Sequence, residues 1–221
     1  MAAFHPRAED LPGEFAVFPL PGALLLPRGK LPLNIFEPRY KAMTEDALGA
    51  GRMFGMIQPD PTQKEGPNGP GLFRVGCLGR IAAFSETDDG RYTISLTGVI
   101  RFLVREELTG RRGYRRVRGD FAPFLADLNL EEQPIGVNRD TLLTELRTFF
   151  ARRNVNANWD AIKRLTNDGL VLSLAMVCPF EPVEKQALLE ATTIADQAEM
   201  LLTLLRMGAA GPDAPGGHAV S

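Results

Sequence analysis

Histidine is nearly missing from this chain: His5 and His218 are the only two in 221 residues, each close to an end. A catalytic base must be held within about 3 Å of the proton it takes, on a rigid support, and untethered chain ends do not provide one. Histidine triads, histidine zinc sites and histidine proton shuttles are therefore not expected. Cysteine is equally scarce. Cys77 and Cys178 are too few for a disulfide framework and too far apart for a zinc knuckle. Cys77, beside Gly76, reads as a small buried hydrophobe, and the low cysteine use suggests a reducing compartment. Serine occurs only at 85, 95, 173 and 221, none of them in a Gly-x-Ser-x-Gly elbow. No apolar run approaches the roughly 20 residues that span a bilayer, and Met1–Arg7 lacks the pattern of a secretory signal. No charge of one sign dominates, since Lys plus Arg is 25 and Asp plus Glu is 27, a net of −2. Nothing global recruits nucleic acid or anionic lipid, and a cytoplasmic protein is expected, with no membrane partner.

Phosphate-cradling loops are missing too. Lys30 follows Gly29, but Gly22 lies too far upstream for a Walker A spacing. The glycine-rich stretch 66–71 precedes a strand and carries prolines, which remove the N–H groups an anion needs. No cofactor and no metal are expected. The adjacent carboxylates Asp88-Asp89, Glu106-Glu107 and Glu131-Glu132 lie near turns or strand ends and read as solvated charges. One charged run has content. Residues 101–119 hold Arg101, Arg105, Arg111, Arg112, Arg115, Arg116 and Arg118 against Glu106 and Glu107, with Tyr114 interleaved. A basic hairpin with an aromatic can follow a nucleic-acid backbone. It can equally be a strand pair protected from edge-to-edge pairing by its charges. The net charge of −2 favours the second reading.

What is present divides the chain in two. Up to about residue 125 the pattern is strand-like: Phe15–Phe18, Leu24–Leu26, Phe54–Ile57, Cys77–Phe84 and Tyr92–Arg105, bounded by Pro and Gly. Ile94, Leu96, Ile100, Phe102 and Val104 share parity and hence one face, with Gly98 among them marking a bulge or tight bend. Tyr114–Phe121 returns as a hairpin. One helix interrupts, opened by Pro38, with Tyr40, Met43 and Ala47 on one face and Gly49 or Gly51 at its end. From about residue 138 the period becomes helical. Leu142, Leu143, Leu146, Phe149 and Phe150 follow Asp140 as N-cap, and Trp159, Ile162 and Leu165 follow Asn158. Helices then run over 168–177 and from Pro182 to near Ala191. The last starts at a capping box of Thr193 and Asp196, carries Ile194, Ala198, Leu201 and Leu205 on one face, and stops at Gly208. Residues 58–71, with four prolines and three glycines, read as a flexible surface loop. The fold class expected is α+β.

Phe18-Pro19-Leu20-Pro21-Gly22, then Leu26-Pro27, then Leu31-Pro32-Leu33-Asn34-Ile35-Phe36-Glu37-Pro38-Arg39-Tyr40 resembles the signature of the Lon protease N-terminal domain. Gly76-Cys77-Leu78-Gly79 and the long strand through Gly98 follow in family order, so the resemblance spans residues 12–207. It implies a PUA-like β-barrel over 12–125, a helical bundle over 138–207, and flexible tails at 1–11 and 208–221. It also implies a stand-alone, bacterial LON-domain protein that lacks the ATPase and Ser–Lys protease modules, and so is not an enzyme. The function implied is binding of unfolded or exposed polypeptide, as an adaptor or client-binding protein working with Lon or another protease, with a weak homo-oligomer allowed. Phe36, Glu37, Arg39 and Tyr40 of the signature are the candidate contact residues. Met43, Met53 and Met56, which cluster near the first helix, join them because thioethers adapt to varied partners. For each of these the competing expectation is core packing. RNA binding through the 101–119 hairpin is the alternative.

Overall fold

The computed structural model describes residues 6–131 and 134–210; His5, His218 and most of the two expected tails lie outside them. The described chain forms strands β1 (Glu14–Pro19), β2 (Lys30–Ile35), β3 (Met53–Ile57), β4 (Val75–Glu86), β5 (Tyr92–Arg111) and β6 (Tyr114–Asp120). Helix α1 (Pro38–Gly49) interrupts them, and α2 (Arg139–Arg152), α3 (Trp159–Lys163), α4 (Asn167–Val177), α5 (Pro182–Glu190) and α6 (Ile194–Ala210) follow. Short 3-10 turns occupy Ala8–Asp10 and Ala122–Leu128. No described helix is long and apolar enough to cross a membrane.

All six strands join one mixed sheet in the order β2-β5-β4-β3-β1-β6, and β5 also pairs with β6. β5 is long enough to serve three partners: β4 runs along one edge, and on the other Tyr92–Thr97 pairs with β2 and Leu103–Arg111 with β6. Among the described residues the only parallel strand pair is β1 with β3, bridged by a crossover that includes α1. The register between β4 and β5 shifts at Leu78/Gly79, opposite Val99, which places the expected bulge beside Gly98. Phe15, Val17, Ile57, Leu78, Ile100, Phe102 and Val117 form the core of the sheet. Burying each such side chain contributes roughly 1.5–3 kcal/mol. Arg112 and Gly113, at φ 48° and 84°, make the two-residue turn that joins β5 to β6, the left-handed pair that a twisted hairpin favours.

One strand expectation is corrected. Leu24–Leu26 is not a strand; its side chains are buried, but the segment crosses over Gly98 without joining the sheet. The strand lies just downstream, where Leu31, Leu33 and Ile35 alternate with the exposed Lys30, Pro32 and Asn34. Period two, and not apolar run length, marked it.

The chain falls into two compact units, one of residues 1–131 with 178–190, the other of 132–177 with 191–221. Cys178–Glu190, which its period groups with the helical half, therefore belongs to the first unit. Polar side chains in α5 explain this. Lys185 Nζ donates to the Gly22 carbonyl (2.7 Å), Gln186 Nε2 to the Val75 carbonyl (3.1 Å), and Gln58 Nε2 to the Pro182 carbonyl (3.0 Å). Gln58 Oε1 in turn accepts from Gly22 N–H (3.1 Å). Buried polar groups cost stability unless bonded, and α5 fulfils that requirement against the sheet. Burial pushes the Lys185 ammonium below its ordinary pKa.

In the second unit α2 and α4 pack on α6, burying Leu142, Leu146, Phe149, Leu170, Val171, Leu201 and Leu205. Asn138, and not Asp140, caps α2, accepting from Asp140 and Thr141 N–H (2.9 and 3.1 Å). Asn158 caps α3, and Thr193 and Asp196 exchange hydrogen bonds as a capping box. α6 continues through Gly208 to Ala210, because glycine weakens a helix interior by only about 1 kcal/mol and Ala209 is buried.

Candidate functional site

β2 ends at Ile35, and the chain turns through Phe36 and Glu37 into α1, with Pro38 at the first helical turn. Ile35 points inward, so the next side chain is turned out: Phe36 is 63% exposed. Glu37 is the N-cap residue, yet its carboxylate makes no capping bond. It bonds instead to the Arg39 guanidinium (2.9 Å), whose carbon lies 4.6 Å from the centre of the Tyr40 ring. Tyr40 is buried against Phe18, ring centres 4.1 Å apart.

The opposite side of α1 is bonded to two hairpin turns. Lys41 Nζ donates to the Gly90 carbonyl (2.5 Å) and sits over the Tyr92 ring. Tyr92 and Arg112 both donate to Glu45 (3.0 and 2.8 Å), while Arg112 and Tyr114 donate to Asp46 (2.9 and 2.7 Å). The bond from Arg112, then that from Tyr92, holds the Glu45 carboxyl below its ordinary pKa. Asp46 is lowered by Tyr114 and then Arg112. Burial first, and the bond to Asp46 second, push the Tyr114 phenol up to about 12. A tyrosine ionises near 10 in an unfolded chain, so the unfolded chain loses this proton first. The stabilisation is present below pH 10 and is lost as pH rises from there through about 12. Burial also raises Tyr40 and Tyr92 above the ordinary value, so phenolate absorbance should titrate late as a whole, and Asp46→Asn should move the Tyr114 share part of the way back.

Between α1 and the β4–β5 turn lies a recess of about 500 Å3, lined by Phe36, Pro38, Lys41, Glu45, Arg91 and Arg112. A second, of about 400 Å3, shares Asp89 and Arg91 with it and extends past Thr87 to Asn34 and Thr93. Of the seven candidate residues, the structure brings Phe36, Glu37 and Arg39 toward the surface at the start of α1, and of these Phe36 lines the recess. Met43 and Met56 lie in the core, at 0% and 2% exposure, with Tyr40 beneath the surface beside them. α1 buries the side that carries Tyr40 and Met43, and Met56 is buried within β3. Met53 is half-buried, at the edge of a separate small recess with Ala47 and Ala50. The turn 87–91, Thr-Asp-Asp-Gly-Arg, carries no apolar signal and reads from sequence only as the solvated pair Asp88-Asp89; the chain reversal brings it opposite Phe36.

The basic hairpin is fully countered. Arg101 pairs with Asp127, Arg105 with Asp120, Arg111 and Arg112 with Asp46, Arg115 with Glu107, and Arg116 and Arg118 with Glu14. Nucleic-acid backbones bind through cations that release counterions, and these arginines already hold carboxylates. Among the described residues no cluster of three or more His, Cys, Asp or Glu could hold a metal. Cys77 is wholly buried, and burial raises its thiol well above the ordinary range.

The family described as the ATP-dependent protease La (LON) substrate-binding domain matches residues 14–207. The chain belongs to that family. Lon protease 2 of Myxococcus xanthus is 25% identical over 199 residues, covering 89% of this chain and 24% of that protein. Lon protease of Anaeromyxobacter dehalogenans is 23% identical, covering 89% and 23%. The LON-domain chain thus spans about a quarter of the length of these relatives. Two solved structures share its fold. A Lon N-terminal domain protein from Xanthomonas campestris superposes with a TM-score of 0.57 at 19% identity, covering 86% of this chain and 97% of that one. The N-terminal domain of the Mycobacterium avium complex Lon protease gives 0.56 at 14% identity, covering 87% and 98%. The α+β fold, a mixed sheet with helices, is that of the Lon N-terminal domain.

Proposed function

We propose that this LON domain is a non-catalytic module that binds exposed polypeptide, as an adaptor or client-binding protein of protein quality control, and that the corner formed by Phe36, Glu37 and Arg39 is where it binds. The observation that carries this reading is Phe36, a phenylalanine 63% exposed at the rim of a recess of about 500 Å3. Aromatic side chains beside a cavity are the usual anchors of an interface, and here the surrounding charges already pair with one another. Membership of the substrate-binding family supports polypeptide as the ligand, and the match stops short of any protease or ATPase module. We read the ring of pairings from β5 through β4, β3, β1 and β6 back to β5 as a small β-barrel of the PUA-like kind. Lon or another protease is the partner to which bound chains would pass.

The test is a titration with reduced, carboxymethylated α-lactalbumin, which cannot fold, against the native protein as control. The LON domain should prefer the unfolded form. Phe36→Asp should weaken that binding about tenfold or more while changing stability by no more than about 0.5 kcal/mol. Val183→Asp, at another exposed apolar position, should leave binding unchanged. Equal affinity for both forms of the probe would end the polypeptide-binding reading.

A further inference from the structure

β2 is the end strand of the sheet and pairs with β5 alone. Its register is set by Lys30 opposite Thr97 and Ile35 opposite Tyr92, and just before it Gly98 N–H donates to the Gly29 carbonyl (2.9 Å). In an antiparallel pair the residues whose main-chain groups face the partner alternate with those whose groups face away. Gly29, Leu31, Leu33 and Ile35 therefore face β5, and Lys30, Pro32 and Asn34 turn their main-chain groups outward. Pro32 agrees with this assignment, since it has no N–H to give β5 and is tolerated only on the open side of an end strand. The outer edge thus presents the carbonyls of Lys30, Pro32 and Asn34 and the N–H groups of Lys30 and Asn34. It runs directly into Phe36, and Asn34 borders the recess of about 400 Å3.

We infer that an unfolded polypeptide binds here by adding a strand to the outer edge of β2, its next side chain falling against Phe36. This deepens the polypeptide-binding reading and rests on it. Main-chain hydrogen bonds supply affinity for any extended sequence, which is what a receptor for unfolded chains needs and what side-chain pockets alone do not provide. Pro32 selects the occupant. If a second copy paired its own β2 antiparallel about the centre of this edge, Pro32 would face Pro32, two carbonyls with no donor between them. A different chain places an ordinary N–H opposite the Pro32 carbonyl. The same proline that discourages self-association leaves the edge open to a partner with a complete backbone.

The experiment is residue-resolved amide hydrogen exchange on the intact chain, with and without saturating reduced, carboxymethylated α-lactalbumin, alongside titrations of the same probe with Asn34→Pro and Phe36→Asp. Exchange at the Lys30 and Asn34 amides should slow about tenfold or more, while Leu31, Leu33 and Ile35, already bonded to β5, change little. Asn34→Pro removes an outward N–H without touching the β5 ladder and should weaken binding about tenfold. Unchanged exchange at Lys30 and Asn34 with the probe bound overturns strand addition even if Asn34→Pro fails to fold. Loss of binding in Phe36→Asp together with full binding by Asn34→Pro would leave the polypeptide reading standing and remove strand addition. Failure of the unaltered chain to bind the probe would remove both. Protection of Lys30 and Asn34 that grows with protein concentration in the absence of probe would assign the edge to a second copy instead.

Discussion

Gly98→Ala should destabilise the first unit by about 3 kcal/mol, the upper end for one added methyl group in a packed interior, and lower Tm by roughly 10 °C. A Cβ at this position would lie 2.0 Å from the Leu26 carbonyl oxygen and 2.8 Å from its carbon. Both are main-chain atoms of a segment tied to the same spot, because Arg28 N–H donates to the Gly98 carbonyl (2.8 Å) and Gly98 N–H to Gly29 (2.9 Å). The clash cannot be relieved by turning a side chain. Gly13→Ala is the matched control, with nothing within 4 Å of its new Cβ, and should shift stability by no more than about 0.5 kcal/mol. Thermal unfolding of both variants checks the prediction; equal Tm values would mean that Leu24–Leu26 is free to lift away. The consequence reaches the proposed binding corner. Gly98 is where the Leu24–Leu26 crossing is clamped before β2 begins, so a displaced crossing takes the β2 edge and Phe36 with it.

Asp127→Ala should cost about 3–5 kcal/mol, the range for stranding one partner of a buried ion pair. Arg101 sits in β5 with only 9% of its surface exposed. Asp127 receives its Nη2 (2.7 Å), its Nε (2.9 Å) and its main-chain N–H (3.0 Å), while Nη1 reaches the Leu189 carbonyl (3.2 Å). Removing the carboxylate leaves a guanidinium in the interior without its counter-charge. Replacing both partners by apolar residues of similar volume, Arg101→Met with Asp127→Leu, should recover much of the loss. Chemical denaturation of the single and double variants separates the two cases. A single variant as stable as the parent would show that the pair is solvated.

The same arginine illustrates how far the chain could be read without its structure. Seven arginines between 101 and 118 look alike as a basic run, and strand alternation distinguishes only which faces they occupy. Their partners Glu14, Glu45, Asp46, Asp120 and Asp127 come from β1, α1, the end of β6 and the following 3-10 turn. Sequence distance conceals these pairings; closure of the sheet creates them. The methionines differ: clustering along the chain does not say which face a side chain takes, whereas the helical and strand periods place Met43 and Met56 inward, where both are buried.

Local chemistry determined much on its own. Pro38 opens α1, Asn158 caps α3, Thr193 and Asp196 open α6, and Arg112-Gly113 turns the long hairpin, because each depends on atoms within a few residues. The run from Phe18 to Tyr40 carried the family. Tertiary structure alone decided the rest. It decided that Leu24–Leu26 crosses over Gly98 instead of pairing, that α5 belongs to the sheet through Lys185, Gln186 and Gln58, and that the turn at 87–91 stands opposite Phe36. It also left β2 as an end strand, with the outward groups of Lys30, Pro32 and Asn34 unclaimed. Each of these rests on contacts between residues far apart in the chain, whose formation depends on the whole sheet closing and not on any local preference.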